Sequence, residues 1–164
     1  MRPWLAFLGS ALLLGACASP WNAMNVPPGS SRDQVIAQAG PPLRELPLPG
    51  GGQRMQYTMQ PLGHYAYMVD LDGSGRVVRS RQVLTEAEFH RIEPGRWTIA
   101  DVDREFGPPA RIDGVSSFRG QVLTYRWKDL VNTNMFYHVY VDPQGMVQRA
   151  HPAMDFLNDR NPRP

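Results

Sequence analysis

The chain is short of cysteine and lysine. Its 164 residues hold a single cysteine, Cys17, and a single lysine, Lys128. One cysteine excludes an internal disulfide, and a free thiol in an oxidising compartment would be a liability. Arginine supplies nearly all the positive charge, which reads as coding bias more than chemistry. With 17 basic residues against 15 acidic ones the net charge of +2 is too near neutral to mark a nucleic acid partner. Nucleophile elbows, phosphate loops and dinucleotide fingerprints are missing, so no enzyme class is indicated. The histidines, His64, His90, His138 and His151, include no pair at metal-ligand spacing. The segment Asp70 to Gly75 resembles the opening of an EF-hand loop, but Arg81 stands where the bidentate glutamate belongs, so a hairpin turn is the better reading. Glu86, Glu88, Glu93, Asp101, Asp103 and Glu105 read as solvated helix residues rather than paired catalytic carboxylates. Turn formers are plentiful: 16 prolines and 15 glycines imply short elements.

The chain also lacks a long hydrophobic run. The apolar stretch Trp4 to Ala16 covers about a dozen residues, short of the ~20 that a bilayer core requires. Preceded by Arg2 and followed by small residues, it has the form of a secretory signal. The sequence Leu14-Gly15-Ala16-Cys17 resembles the lipobox of bacterial lipoproteins. That resemblance implies cleavage after residue 16 and a covalent lipid on Cys17, the one non-protein group expected. An ordinary signal with a chance cysteine is the competing reading; the position of the only cysteine argues against it. Acyl chains bury methylenes at about 0.8 kcal/mol each, so a multiply acylated terminus holds a membrane without a spanning helix. Ala18, rather than Asp, follows the cysteine, which by resemblance to enterobacterial sorting implies the periplasmic side of the outer membrane.

The remaining chain contains a repeat. Val26 to Arg44 and Ile92 to Arg111 each carry a glycine, a short helix and a Gly-Pro-Pro stop, at Gly40-Pro41-Pro42 and Gly107-Pro108-Pro109. Glycine ends a helix cheaply and the following proline cannot continue it. Ser30 or Ser31 is placed to cap the first helix and Thr98 the second. Val35, Ile36 and Ala39 form one apolar stripe, and Ile99, Val102 and Phe106 another. Three strand-like runs follow each helix: 54–60, 64–71 and 76–83, then 122–128, 135–142 and 146–151. The organisation predicted is a signal at 1–16, a tether at 17–25, a first unit at 26–84, a connector at 85–91 with a short helix, a second unit at 92–157 and a tail at 158–164. Gly50-Gly51-Gly52 reads as a flexible loop. A unit of roughly 60 residues is marginal alone, so the two are expected to stack or to join their sheets into one α+β body.

Gly29, Gln34, Val35, Gly40 and Pro42 in the first unit, and Gly95, Thr98, Val102, Gly107 and Pro109 in the second, resemble the SmpA/OmlA (BamE-like) outer-membrane lipoprotein domain family. Ser30 and Ala39 depart from the usual family pattern, and the duplication is a further departure. Tandem units of this kind are similar in arrangement to the β-lactamase inhibitor proteins. The resemblance implies a fold of two helix plus three-stranded antiparallel sheet units, and a non-catalytic adaptor whose partners are the membrane, through its lipid, and β-barrel assembly components. An inhibitor or binder of a periplasmic enzyme, and an envelope ligand-binding module, are the alternatives. On strand alternation the sheet face turned from the helix carries Arg54, Gln56, Thr58, Met68, Thr124, Arg126, Lys128, Phe136, His138 and Tyr140. Arg54, Arg126, Phe136, His138 and Tyr140 are the candidate protein-contact residues, since aromatics and arginine dominate interface hot spots.

Overall fold

A computed structural model describes residues 18–156. The expected signal segment, Cys17 as the expected lipidation site, residue 157 and the expected tail at 158–164 lie outside the described residues. Among the described residues no helix is long and apolar enough to cross a membrane.

The architecture is α+β with two separate four-stranded antiparallel sheets. The first unit holds α1 (Arg32–Ala39), then β1 (Arg44–Pro47), β2 (Gln53–Thr58), β3 (Ala66–Leu71) and β4 (Val77–Gln82). After α2 (Glu86–Phe89), the second unit repeats the plan with α3 (Ile99–Phe106), β5 (Arg111–Val115), β6 (Phe118–Lys128), β7 (Asn134–Val141) and β8 (Val147–Met154). Each sheet is a plain meander in chain order. Both helices open on the expected residue: the Ser31 and Thr98 hydroxyls accept from the backbone N–H groups of Gln34 and Asp101, whose side chains return the bond. Both end at a glycine of positive φ, Gly40 and Gly107.

Several expectations need correction. Each sheet has four strands, not three. β1 and β5 are edge strands, one ending in proline and the other exposed at every position, so neither shows the alternation of a half-buried strand. The helix-first layout also differs, because a further helical element precedes each main helix. Pro20–Asn25 is a 3-10 helix rather than a tether: Ala23 is buried, Asn22 donates to the Gln38 carbonyl at 3.0 Å, and Trp21 packs on Tyr65 at 4.6 Å. On the second unit that place is taken by α2. Its Phe89 is fully buried and stacks on Tyr137 at 4.0 Å, so the expected connector is part of the core. Ile99 is exposed, leaving Val102 and Phe106 as the buried stripe of α3. Gly52 is not a flexible position. A Cβ there would lie 2.1 Å from the Leu71 carbonyl oxygen, and one at the corresponding Gly120 would lie 2.2 Å from that of Val141.

The units stack; their sheets do not join. One face of the first sheet packs Met55, Tyr57, Val69 and Leu71 against Val35 and Ala39 of α1. Its other face contributes Ala66, Met68 and Val83 to a second core, built mainly from Phe89, Val102, Phe106 and the inner face of the second sheet. The order of layers is therefore α1, first sheet, α2 with α3, second sheet. The last sheet has helices on one face only.

Candidate functional site

The two faces turned from their own helices have opposite fates. On the first sheet that face is closed by α3. Arg54 and Gln56 are buried there, contrary to the expectation that Arg54 belongs to a contact surface. The reason lies in the layer order: the helix of the second unit lies on the first sheet, which the period-two pattern of one strand does not reveal. Arg54 forks onto Asp70 at 2.6 and 2.9 Å and reaches Glu105 at 2.9 Å. Gln56 donates to the carbonyls of Asp103 and Arg104 at 3.0 and 3.1 Å, at the last turn of α3. Arg44 pairs with Asp103, and Arg81 bridges Glu88 and Glu105. Glu105 is thus a buried ion-paired joint rather than a solvated helix residue, and Glu88 and Asp103 pair with arginines of the first sheet at partly exposed positions. Burial alone would raise the Asp70 and Glu105 carboxyls, but the facing guanidiniums, Arg54 and Arg79 for Asp70 and Arg54 and Arg81 for Glu105, outweigh it and hold both below the usual range.

On the second sheet the equivalent face carries no helix. Cross-strand registry lines up Arg111, Thr124, His138 and His151 in one row, and Val122, Tyr140 and Arg149 in the next. The side chains form a continuous aromatic and cationic array. Arg149 lies over the Tyr140 ring at 3.8 Å, Tyr140 meets Phe118 edge-on at 5.3 Å, and His151 stacks on Tyr140 at 5.5 Å. At the other end of the sheet Arg111 lies 5.3 Å from the Phe136 ring centre, and Phe136 is 6.0 Å from His138. Such cation–π contacts hold arginine planes flat on rings while leaving their N–H edges to solvent or a partner. Asp113 is ion-paired to Arg111 at 2.8 Å. His138 shares a 3.0 Å hydrogen bond with the Thr124 hydroxyl. Burial, then the neighbouring His151 and Arg111, push its imidazole below the ordinary histidine value, which favours the neutral ring at neutral pH.

Of the five residues expected to form a contact face, the structure brings Arg126, Phe136, His138 and Tyr140 together. Arg126 stands at the edge, donating to the Leu62 carbonyl at 3.3 Å and pairing with Asp155 at 3.4 Å. It also receives the Gln60 side chain on its backbone, at 2.8 and 3.1 Å, tying the β2–β3 loop to the second sheet. Phe118, Arg111 and Arg149 were not expected. Their signal was present in the register: each lies opposite or beside a residue already assigned to this face. Shallow grooves lie at the Asp72 turn, at the Asp142 turn beside Gly120, and beside Val131, Met154 and Phe156. In the Asp72 turn the carboxylate accepts from Ser74 and Arg76 backbone N–H groups at 2.8 and 3.0 Å, which is hairpin chemistry. Among the described residues no cluster of three or more His, Cys, Asp or Glu is placed to hold a metal.

No family model matches the sequence, and no curated protein matches it. Among solved structures, a DUF4309 family protein, YjgB, from Bacillus subtilis subsp. subtilis str. 168 aligns over 76% of this chain and 78% of its own, at 18% identity and a TM-score of 0.33, too distant a likeness to build on.

Proposed function

We infer that this chain is a non-catalytic, lipid-anchored adaptor of the bacterial envelope, which binds a protein partner through the open face of its second sheet. One observation carries the reading: the face bearing Phe118, Phe136, Tyr140, Arg111 and Arg149 is uncovered, while its counterpart on the first sheet is closed by a helix. Aromatic and arginine side chains concentrate binding energy at interfaces, and rings already braced by guanidinium planes lose little freedom on binding. Anchorage through Cys17 would raise the local concentration of partners held at the same membrane. The lipobox and the two glycine-marked units support a BamE-like role at the periplasmic side of the outer membrane, in β-barrel protein assembly. Inhibition of a periplasmic enzyme through the same face is the second reading, favoured by the duplicated unit.

The experiment is site-specific photocross-linking in cells expressing the full lipoprotein, with the probe at Phe136 and a control probe at Val78 on the first sheet. Capture of β-barrel assembly subunits at 136 alone supports the adaptor. Capture of a single soluble periplasmic enzyme selects the inhibitor, and equal capture at both positions removes the face from consideration. Mass spectrometry of the membrane-bound chain tests the anchor separately, by the diacylglyceryl mass on Cys17.

A further inference from the structure

We propose that the open face receives an acidic helical segment of its partner, seated on the second sheet as α3 is seated on the first. This rests on the docking reading above and specifies the chemistry of the partner. It comes from the correspondence between the units, which is close enough to align side chains. Tyr57 and Tyr125 each donate to the carbonyl of the glycine ending their helix, Gly40 at 3.0 Å and Gly107 at 2.9 Å. Register shifts fall at Asp70/Leu71 and at Tyr140/Val141, and Gly29 and Gly95 donate to Val77 and Val147 at the same 2.7 Å. In this correspondence the row Arg44, Gln56, Met68, Arg81 on the first sheet matches Arg111, Thr124, His138, His151 on the second. Likewise Arg54, Asp70 and Arg79 match Val122, Tyr140 and Arg149.

The first row shows what such a face binds. It takes the carboxylates of Asp103, Glu105 and Glu88 and the carbonyls of Asp103 and Arg104 at the end of α3. A helix C-terminus carries partial negative charge, so a cationic row complements both the side chains and the backbone end. The second sheet keeps basic groups at three corresponding places, Arg111 for Arg44, His151 for Arg81 and Arg149 for Arg79. It replaces the buried pair of Arg54 and Asp70 by Val122 and Tyr140, which takes away the carboxylate that Arg79 has on the first sheet, leaves Arg149 on a ring instead, and adds an aromatic platform for an apolar side chain. Among the described residues, α1 of a second copy does not fit. The residues of α1 that correspond to Asp103, Arg104 and Glu105 are Ile36, Ala37 and Gln38, which offer no charge. The complementary helix therefore belongs to another protein.

The test uses the full lipoprotein in detergent micelles and a hydrocarbon-stapled helical peptide of residues 97–108, labelled for fluorescence anisotropy. Its counterpart has Asp101, Asp103 and Glu105 changed to the amides. The acidic helix should bind at least ten times more tightly than the amide form, and lose at least tenfold with Arg111→Gln plus Arg149→Gln. Its affinity should fall with salt, and NMR shifts should fall on Phe136, His138 and Tyr140. Equal binding of the two peptides, or shifts centred on Arg44 and Arg54, would overturn the proposal. So would a preference of this face for phosphatidylglycerol vesicles over the peptide. The cross-link at Phe136 separates this idea from the docking reading. A captured segment that is basic or non-helical leaves the interface standing and removes the helix, whereas no capture with no peptide binding removes both.

Discussion

The back faces of the two sheets start from the same framework and end in opposite states. That of the first sheet is dry and ionic: Arg54, Asp70 and Glu105 are buried together and seal against a helix. That of the second is half-wet and aromatic, with Arg149 resting on Tyr140 and Arg111 shared between the Phe136 ring and Asp113. The contrast teaches that the same meander can serve as an internal joint or as an external surface, and that the choice lies in a few positions per face. Asp70 against Tyr140 is the clearest of them.

The comparison is broken most severely in the shared middle layer. Phe89→Ala removes a ring stacked on Tyr137 and Phe106 at 4.0 and 5.0 Å, and is expected to cost about 4 kcal/mol in chemical denaturation. Arg54→Met removes the most buried partner of two buried carboxylates, leaving Asp70 to Arg79 and Glu105 to Arg81, and should cost about 3 kcal/mol. That loss should depend on pH. Asp70 and Glu105 are held below the usual carboxylate range, so their contribution is fully present above that range and is lost as pH falls from it through the depressed folded-state values. Denaturation midpoints of Arg54→Met measured from pH 7 to pH 3 should therefore show a flatter acid limb than those of the parent. His138 adds a limb at higher pH. Its folded-state value lies below 6.5, so it contributes nothing above that pH and penalises the folded state as pH falls from there through the lowered value. His138→Gln should remove this limb and leave the carboxylate limb unchanged.

Smaller changes sharpen the contrast. Ser31→Ala and Thr98→Ala each remove one capping hydroxyl and should cost about 1 kcal/mol apiece, equal within error if the two units are equivalent at their helix starts. Arg149→Gln on the open face should shift stability by no more than about 0.5 kcal/mol, as at a surface site, while abolishing partner capture from Phe136. A large loss of stability from that change would mean that the array is an internal brace instead.

The repeat, both helix stops, the caps and six of the eight strands were legible in the sequence, because each follows from short-range rules of spacing and turn chemistry. The edge strands β1 and β5 were not, since edges carry little burial to write a pattern. The candidate face was half legible. Phe136, His138 and Tyr140 alternate correctly on β7, but the same rule placed Arg54 outside, where it meets α3 instead. Strand periodicity distinguishes the two sides of a sheet and says nothing about what lies beyond either. Glu105 was misread for a related reason: on its own helix it flanks the apolar stripe, and only stacking buries that flank.

The layer order has a consequence for how such a molecule could be extended. Each unit presents a surface that the following unit occupies, so the stack has a direction, with a closed beginning at α1 and a receptive end at the second sheet. A third unit appended after Met154 would consume the present binding surface and display its own in its place. The number of units thus acts as an address, fixing which set of side chains is shown to a partner while the scaffold beneath it stays the same.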